Sequence, residues 1–266
     1  MIRSLQSVEV RSSSTLVAAR NFGRYKSEVP QAVRKPELKE NETLAQLKQA
    51  WAKFELTSRG TDDDVHESVC DVIRNLKYSA KDVEKFSLAL ANFEQEPDFE
   101  TKAGYFLSAL INNGLDSDYV VHTDHLSLKI NYLGFKNQKN IIVKGNVRDN
   151  LGRQMTKGSI IINGDAENDV GHRMTGGVII IKGNTGNWTG IYMVGGEITL
   201  NGNASAFVGD SMRNGVIYVL GNVGCAVGNK MMGGEIHLDG TYDSIYRNPY
   251  EGKIFHKGKL IRPISF

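Results

Sequence analysis

Between residues 145 and 240 the pattern of hydrophobic and polar residues repeats every 19 positions, five times, without insertion or gap. In each copy, four consecutive residues carry apolar side chains at their second and fourth positions. This period-two alternation predicts a short β-strand with one buried face. The paired inward positions are Ile160 and Ile162, Ile179 and Ile181, Ile198 and Leu200, Ile217 and Val219, and Ile236 and Leu238.

Glycine recurs in phase with these strands, in three columns that we expect to form the turns because glycine adopts positive φ at little cost. The first column is Gly145, Gly164, Gly183, Gly202 and Gly221; the second is Gly152, Gly171, Gly190, Gly209 and Gly228; the third is Gly158, Gly177, Gly196, Gly215 and Gly234. The position before the third glycine reads Lys157, Gly176, Gly195, Asn214 and Gly233. That composition predicts a left-handed residue, with mild strain at Lys157.

Two further columns predict how the turns stack. Methionine recurs at Met155, Met174, Met193, Met212 and Met231, and polar side chains recur at Asn146, Asp165, Asn184, Asn203 and Asn222. We expect the polar column to form a ladder of hydrogen bonds along the coil axis. A second, shorter strand is expected before the second glycine, at Leu151, Val170, Thr189, Val208 and Val227.

A repeat of this length is typical of a solenoid. Because two strands of three to five residues cannot bury their faces within one turn, each turn must stack on the next. We therefore predict a right-handed parallel β-helix over residues 116–258, of about seven turns, with ladders of Ile, Val, Leu and Met inside and no space for a ligand.

Residues 41–115 carry helical spacing instead. Apolar residues three and four apart follow Asn41, Asp62 and Ser79, which predicts three helices, and a fourth is expected to end near Gly114. This helical segment is expected to cover the first open edge of the coil, and the Tyr242–Tyr250 insertion to blunt the last. The chain is thus predicted to be an α+β protein with a flexible or partner-ordered arm over residues 1–40 and a tail over 259–266.

The composition is that of an ordinary soluble globular protein, with 40% hydrophobic residues and a net charge of +2. This balance predicts no nucleic-acid partner, and because no stretch approaches 18 consecutive apolar residues, we expect no membrane span. Cys70 and Cys225 lie in different segments, so we expect no disulfide and no cysteine-based zinc site, and a cytoplasmic location follows. The Arg- and Ser-rich first 25 residues leave an organellar targeting segment as the alternative to an arm.

Motifs for catalysis are missing from the sequence, which has no G-x-S-x-G, G-x-x-x-x-G-K-[ST] or H-E-x-x-H. His122 and His125 resemble a metal-binding pair, but residues three apart in a strand face opposite sides. Glu197 and Glu235 are two turns apart, which is a poor arrangement for acid and base catalysis on a polysaccharide. We therefore expect no catalytic, cofactor-binding or metal-binding residue.

The outward positions of the repeat are more informative. The residues between the inward positions of each strand are Ile142, Ile161, Ile180, Thr199, Tyr218 and His237. Such an apolar face must be covered, either by the chain's own helices or by a partner subunit. Trp188 and Phe207 are expected to stack in adjacent turns, near Tyr192, as aromatic anchors of an interface; facing inward, they would be core instead. The candidate interface residues are Trp188, Phe207, Tyr192, Ile161, Ile180 and Tyr218.

The spacing of the glycines resembles a known family. Gly183, Gly186 and Gly190 follow the pattern G-x-x-G-x-x-x-G, as do Gly221, Gly224 and Gly228. The other copies carry Arg148, Glu167 and Ser205 in place of the middle glycine. The pattern is similar to the coil that forms the carboxy-terminal domain of the glutamate synthase large chain. A similar coil forms one of the subunits of formylmethanofuran dehydrogenase and of the related formyltransferase/hydrolase complex. The resemblance covers about 140 residues, roughly half of the chain, and does not extend to residues 1–115.

This resemblance implies a role without catalysis. In those enzymes the coil is a spacer and docking surface, while other domains or subunits carry the glutaminase, flavin or molybdopterin chemistry. We therefore expect a scaffold subunit of a larger enzyme, of the glutamate synthase type first and of the formylmethanofuran dehydrogenase type second. The alternatives are a free-standing interaction protein, which binds through its helical segment or forms homo-oligomers, and a carbohydrate-active β-helix enzyme.

Overall fold

The computed structural model describes residues 41–56, 60–246 and 251–261, and the arm predicted over residues 1–40 lies outside them. Four helices come first: α1 Glu42–Lys53, α2 Asp62–Ile73, α3 Ala80–Ala89 and α4 Phe99–Asn113, with a short 3-10 helix at Leu90–Asn92. Nine strands follow: β1 Asp118–His122, β2 Asn140–Lys144, β3 Ser159–Ile162, β4 Val178–Ile181, β5 Glu197–Leu200, β6 Val216–Val219, β7 Glu235–Leu238, β8 Lys253–His256 and β9 Lys259–Leu260.

Strands β1 to β8 form one sheet in sequence order, each parallel to the next. The register advances one repeat per strand, so that Ile160 pairs with Ile179 and Ile179 with Ile198. Eight stacked strands make about seven turns of coil. The predicted α+β architecture, a helical segment followed by a parallel β-helix, is confirmed.

The interior of the coil is filled as the repeat predicts. All five methionines of the repeat and the inward residues of β3 to β6 are fully buried. This core continues into that of the helical segment, where Trp51 is also fully buried and its ring lies 5.4 Å from that of Phe106. Ladders of identical side chains therefore stabilise every turn through its neighbours.

Glycines of the second and third columns have positive φ as predicted, for example 64° at Gly152 and 88° at Gly177. From Gly164 onward, the glycines of the first column do not have positive φ, and glycine is present there for a different reason. A Cβ atom on Gly183 would lie 2.6 Å from the carbonyl oxygen of Gly164 in the turn below. Those glycines allow the turns to stack closely at this corner.

The prediction of a left-handed residue before the third glycine is wrong. Neither Lys157 nor Gly176 has positive φ, and the left-handed residue is the third glycine itself. Gly176 provides space instead, because a Cβ there would lie 2.5 Å from the carbonyl oxygen of Thr156. The strain expected at Lys157 is therefore absent.

The second strand predicted in each turn is also wrong in the described part of the chain. The column that contains Leu151 and Val170 is buried, but Leu151 lies between the left-handed residues Asn150 and Gly152, which no strand can accommodate. Outside strands β1 to β9, the pairing of neighbouring turns is reduced to isolated bridges. Most of these bridges join Thr185, Ala204, Val223 and Tyr242 in succession.

The polar ladder is confirmed. The Asn184 Oδ1 atom accepts a hydrogen bond from the Asn203 backbone N–H at 2.9 Å, and the Asn203 Oδ1 atom accepts one from Asn222 at 2.8 Å. A second ladder, which the sequence analysis did not identify, runs through Asp149, Asn168 and Asn187. Both ladders bond each turn to the next outside the sheet.

Both ends of the coil are covered. The helices begin at the predicted residues: the Asn41 side chain accepts from the Leu44 N–H at 2.8 Å, and capping boxes form at Thr61 and Ser79. Helix α3 packs against β1 and so covers the first edge. At the other end β9 pairs antiparallel with β8, whereas part of the predicted insertion, residues 247–250, is not described. None of the described helices is long and apolar enough to cross a membrane.

Candidate functional site

One corner of the coil carries three left-handed residues in every repeat: the second glycine and the residues two positions before and after it. We call it the left-handed corner. Its non-glycine residues, with φ between 51° and 63°, are Asn150, Asp169, Trp188, Phe207 and Ala226 before the glycine, and Gln154, Arg173, Tyr192, Ser211 and Lys230 after it.

Backbone hydrogen bonds hold this corner in place. The Trp188 and Tyr192 N–H groups donate to carbonyl oxygens in the next turn, those of Ala206 at 3.0 Å and Asp210 at 2.9 Å. The Gly190 N–H between them donates to Val170 in the preceding turn at 2.7 Å. A left-handed conformation costs an L-residue roughly 1–2 kcal/mol, and this ladder imposes it on whatever side chain the sequence supplies.

Asn and Asp tolerate this conformation best among residues with a side chain, and they occupy the first two copies of the repeat as Asn150 and Asp169, although Tyr132 holds the same position in the turn before. The next two turns have Trp188 and Phe207 at the same position, with their ring centroids 5.8 Å apart and their planes 17° apart. Trp188 is 37% exposed and Tyr192 is 43% exposed. Trp188, Tyr192 and Phe207 form what we call the aromatic patch.

The aromatic patch lies next to the point where the helical segment is bonded to the coil. The Arg153 guanidinium bonds Asp62, the first residue of α2, with Nε 2.7 Å from Oδ2. It also donates to His172, whose Nδ1 lies 2.6 Å from Nη1. The ring of His172 lies 5.8 Å from that of Tyr192, over which Arg173 also lies at 5.9 Å.

Charge at this junction is set by burial. Burial and the positive charges of Arg153 and Arg173 lower the pKa of His172 to about 4, so its imidazole is neutral and accepts the Arg153 hydrogen bond. Burial, with Asp149 nearby, raises the pKa of Asp169. A crevice of about 410 Å³ separates the start of α2 from the corner and is lined by Gly60, Thr61, Asp62, Asp63, Arg153, Gln154 and Arg173. The patch is therefore bordered on this side by a polar crevice of mixed charge.

The outward residues of the strands form a second surface, which we call the outer stripe. In register from β1 to β8 they are Val120, Ile142, Ile161, Ile180, Thr199, Tyr218, His237 and Phe255. Ile142 is 41% exposed, Ile161 and Tyr218 are half-buried, and Ile180 and Thr199 are buried. The rings of Tyr218, His237 and Phe255 stack in succession, with centroids 4.8 and 4.5 Å apart.

The structure thus divides the predicted interface residues between two surfaces. It brings Trp188, Phe207 and Tyr192 together at the left-handed corner, whereas Ile161 and Tyr218 belong to the outer stripe and Ile180 is covered. The junction of Asp62, Arg153 and His172 was not predicted from the sequence. The sequence contained one indication. Arg153 and His172 occupy the same position in successive copies of the repeat, directly after the second-column glycine, and Ile191 occupies that position in the copy that contains Tyr192.

Of the residues considered for chemistry, His122 and Glu235 have other partners, whereas the ring nitrogens of His125 are buried without a hydrogen bond. His122 Nε2 lies 3.0 Å from Glu84 Oε1, and Glu235 bonds His237 and Lys253. In the described ranges, no three His, Cys, Asp or Glu side chains are grouped so that they could hold a metal ion. Cys70 and Cys225 are both free thiols.

Comparison with known proteins gives no further guide to function. No protein-family profile matches the sequence, and no curated protein matches it.

Proposed function

We propose that the chain is a scaffold subunit of a larger enzyme, without catalysis of its own, and that the aromatic patch is where a protein partner docks. The observation that carries this proposal is the placement of exposed Trp188 and Tyr192, with Phe207, at left-handed positions. Part of each side chain stays exposed, and each residue adopts a backbone conformation that Asn or Gly would adopt at lower cost. Strain of this kind concentrates at functional sites.

The coil suits the role of a rigid spacer. Its eight stacked parallel strands span about 34 Å at about 4.8 Å per strand, and the side-chain ladders resist bending. Burying the stacked Trp188 and Phe207 rings against a partner removes large apolar area from water, which is how aromatic hot spots contribute to association.

The resemblance of the glycine pattern favours a glutamate-synthase-type amidotransferase complex as the host, with a formylmethanofuran-dehydrogenase-type complex second. In either context other subunits supply the glutaminase and flavin, or the molybdopterin. We place the complex in the cytoplasm, because free cysteines suit a reducing compartment.

A free-standing interaction protein is the second candidate. Two stacked rings on a flat corner can also meet the same rings of another copy, because a two-fold interface joins identical surfaces. The protein would then be a homodimer whose helical segment remains available for a target.

Isolation of the tagged full chain from its own cells, followed by mass spectrometry and native mass measurement, tests these alternatives. The wild-type chain should bring down a partner enzyme in fixed stoichiometry, and the double variant Trp188→Asn, Phe207→Asn should lose it. Leu128→Asn is the matched control, because Leu128 is 38% exposed and lies outside the patch. A homodimer mass without another protein favours the second candidate, and equal recovery by the double variant contradicts the assigned surface.

A further inference from the structure

The outer stripe is uncovered where it begins. Val120 in β1 is half-buried, and the next residue, Ile142, is 41% exposed. A shallow cavity of about 460 Å³ lies beside Val120, between β1 and the start of α3, and is lined by Ser79, Ala80, Lys81, Glu84, Asp116, Ser117, Asp118 and Val120. This end of the stripe is open to an occupant, whereas Ile180 and Thr199 farther along it are already buried.

The described chain enters the structure close to this cavity. The side chain of Asn41, the first described residue, hydrogen-bonds Asp82, which in turn accepts from the Ser79 N–H at 3.0 Å. The neighbouring Ala80 N–H donates to Asp116 at 2.6 Å, at the start of β1. The described part of the chain therefore begins beside the head of the outer stripe.

The charges of the two parts are complementary. Three carboxylates, those of Glu84, Asp116 and Asp118, line the cavity against one cation, Lys81. Residues 1–40 carry eight Lys or Arg and four Glu, whereas the rest of the chain has more acidic than basic residues. The same segment carries apolar residues along its length, among them Val8, Val10, Leu16, Val17 and Phe22. A basic segment with apolar side chains fits an apolar face with an acidic head.

Length is sufficient as well. The outer stripe crosses eight strands, about 34 Å at about 4.8 Å per strand. An extended chain spans about 3.3 Å per residue, so roughly ten residues reach from Val120 to Phe255. The 40 residues before Asn41 exceed this need several times.

We propose that residues 1–40 of the same chain lie on the outer stripe, with basic side chains at the acidic cavity and apolar side chains on Ile142 and Ile161. The arm then covers one of the two candidate surfaces, and the aromatic patch is left for other molecules. This inference does not rest on the proposed scaffold role, because it concerns the isolated chain.

Thiol labelling of the full chain tests this proposal. In a Cys70→Ser, Cys225→Ser background, Ile142→Cys should react with a maleimide about tenfold more slowly than Met232→Cys, as expected when the arm is docked in about nine of ten molecules. Met232 is the matched control, because it is 39% exposed and lies away from the stripe. Tyr218→Cys is a second reporter should Ile142→Cys fail to fold.

Release of the arm completes the test. A site-specific protease sequence inserted after Pro36 allows the arm to be cut from the folded chain, with circular dichroism as the check on folding. After cleavage and removal of the peptide, Ile142→Cys should label as fast as Met232→Cys. Equal rates before cleavage, or protection that persists after removal, overturn the proposal. Protection that is lost on dilution of the uncut chain assigns the cover to a second copy and overturns it too.

Discussion

At the scale of the residue, the backbone conformation of the left-handed corner is imposed by the coil, and the side chains there differ in what it costs them. Asn150 and Asp169 adopt positive φ at low cost through their short polar side chains, whereas Trp188 and Phe207 adopt it at a higher cost. Stacking of the two rings is worth about 0.5–1.5 kcal/mol, which offsets only part of the strain of two left-handed residues. We propose that contact with a partner is a further reason for their presence.

Replacement of Trp188 and Phe207 by Asn should therefore separate stability from association. We expect the free energy of unfolding, measured by urea denaturation, to change by less than about 1 kcal/mol, because relief of strain offsets lost stacking. Partner binding should nevertheless be lost. A loss of stability well above this range would identify the rings as structural.

At the scale of the element, the polar ladder shows how one side chain stabilises the neighbouring turn. The Asn203 Oδ1 atom accepts the Asn222 N–H, and Asp165 makes the same bond to Asn184 at 2.6 Å with a carboxylate. The ladder thus requires an acceptor atom at this position rather than an amide.

Asn203→Ala should lower the free energy of unfolding by about 1 kcal/mol, because the backbone N–H of Asn222 loses its hydrogen-bond acceptor. Asn203→Asp keeps the acceptor and should stay within about 0.5 kcal/mol of the wild-type chain. Urea denaturation of both variants measures the difference. Equal losses would show that the ladder bond itself contributes nothing.

The inward ladder permits a sharper test. Ile198 is fully buried between Ile179 and Ile217 in adjacent strands. Ile198→Asp should prevent folding, because it buries an unpaired charge that no neighbour can satisfy. Thr156→Asp, at an exposed position of the coil, is the control and should melt like the wild-type chain. A normal circular dichroism melt for Ile198→Asp would contradict the assigned inward column.

Some features of the repeating elements could be predicted from the sequence and others could not. Strands and inward ladders were predictable because period-two burial is written directly in the residues, as at Ile179 and Ile181. The left-handed corner could not be predicted, because several of its positions hold residues such as Trp188. Asn or Gly at those positions would have indicated positive φ. Glycine alone could not distinguish crowding from positive φ, and so Gly176 was misinterpreted.

At the scale of the whole molecule, the helical segment and the coil are joined through Asp62, Arg153 and His172, which sequence spacing could not place together because Arg153 is 91 residues from Asp62. The folded chain holds His172 with its pKa lowered to about 4, against about 6.5 when unfolded. Below pH 6.5 the unfolded chain binds more protons at this residue than the folded one does. Stability is therefore complete above this pH and falls as the pH drops towards 4.

We expect the titration of His172 to lower the free energy of unfolding by about 2 kcal/mol when the pH falls from 7 to 5. Urea denaturation at the two pH values measures this change. His172→Gln keeps an acceptor for Arg153 without a titrating group, and should show a correspondingly smaller loss. The raised pKa of Asp169 acts in the opposite direction but is common to both chains, so the comparison cancels it. Identical pH profiles would show that His172 does not titrate against folding.

The most direct test of the docking surface is site-specific photo-crosslinking in the chain's own cells. A photoreactive phenylalanine analogue replaces Tyr192, which is 43% exposed in the aromatic patch, and in a control chain replaces Leu128, which is 38% exposed outside it. We predict a single strong adduct from position 192, to the protein that co-purifies with the chain, and none from position 128. Absence of an adduct at position 192, or the same adduct from both positions, would contradict docking at the aromatic patch.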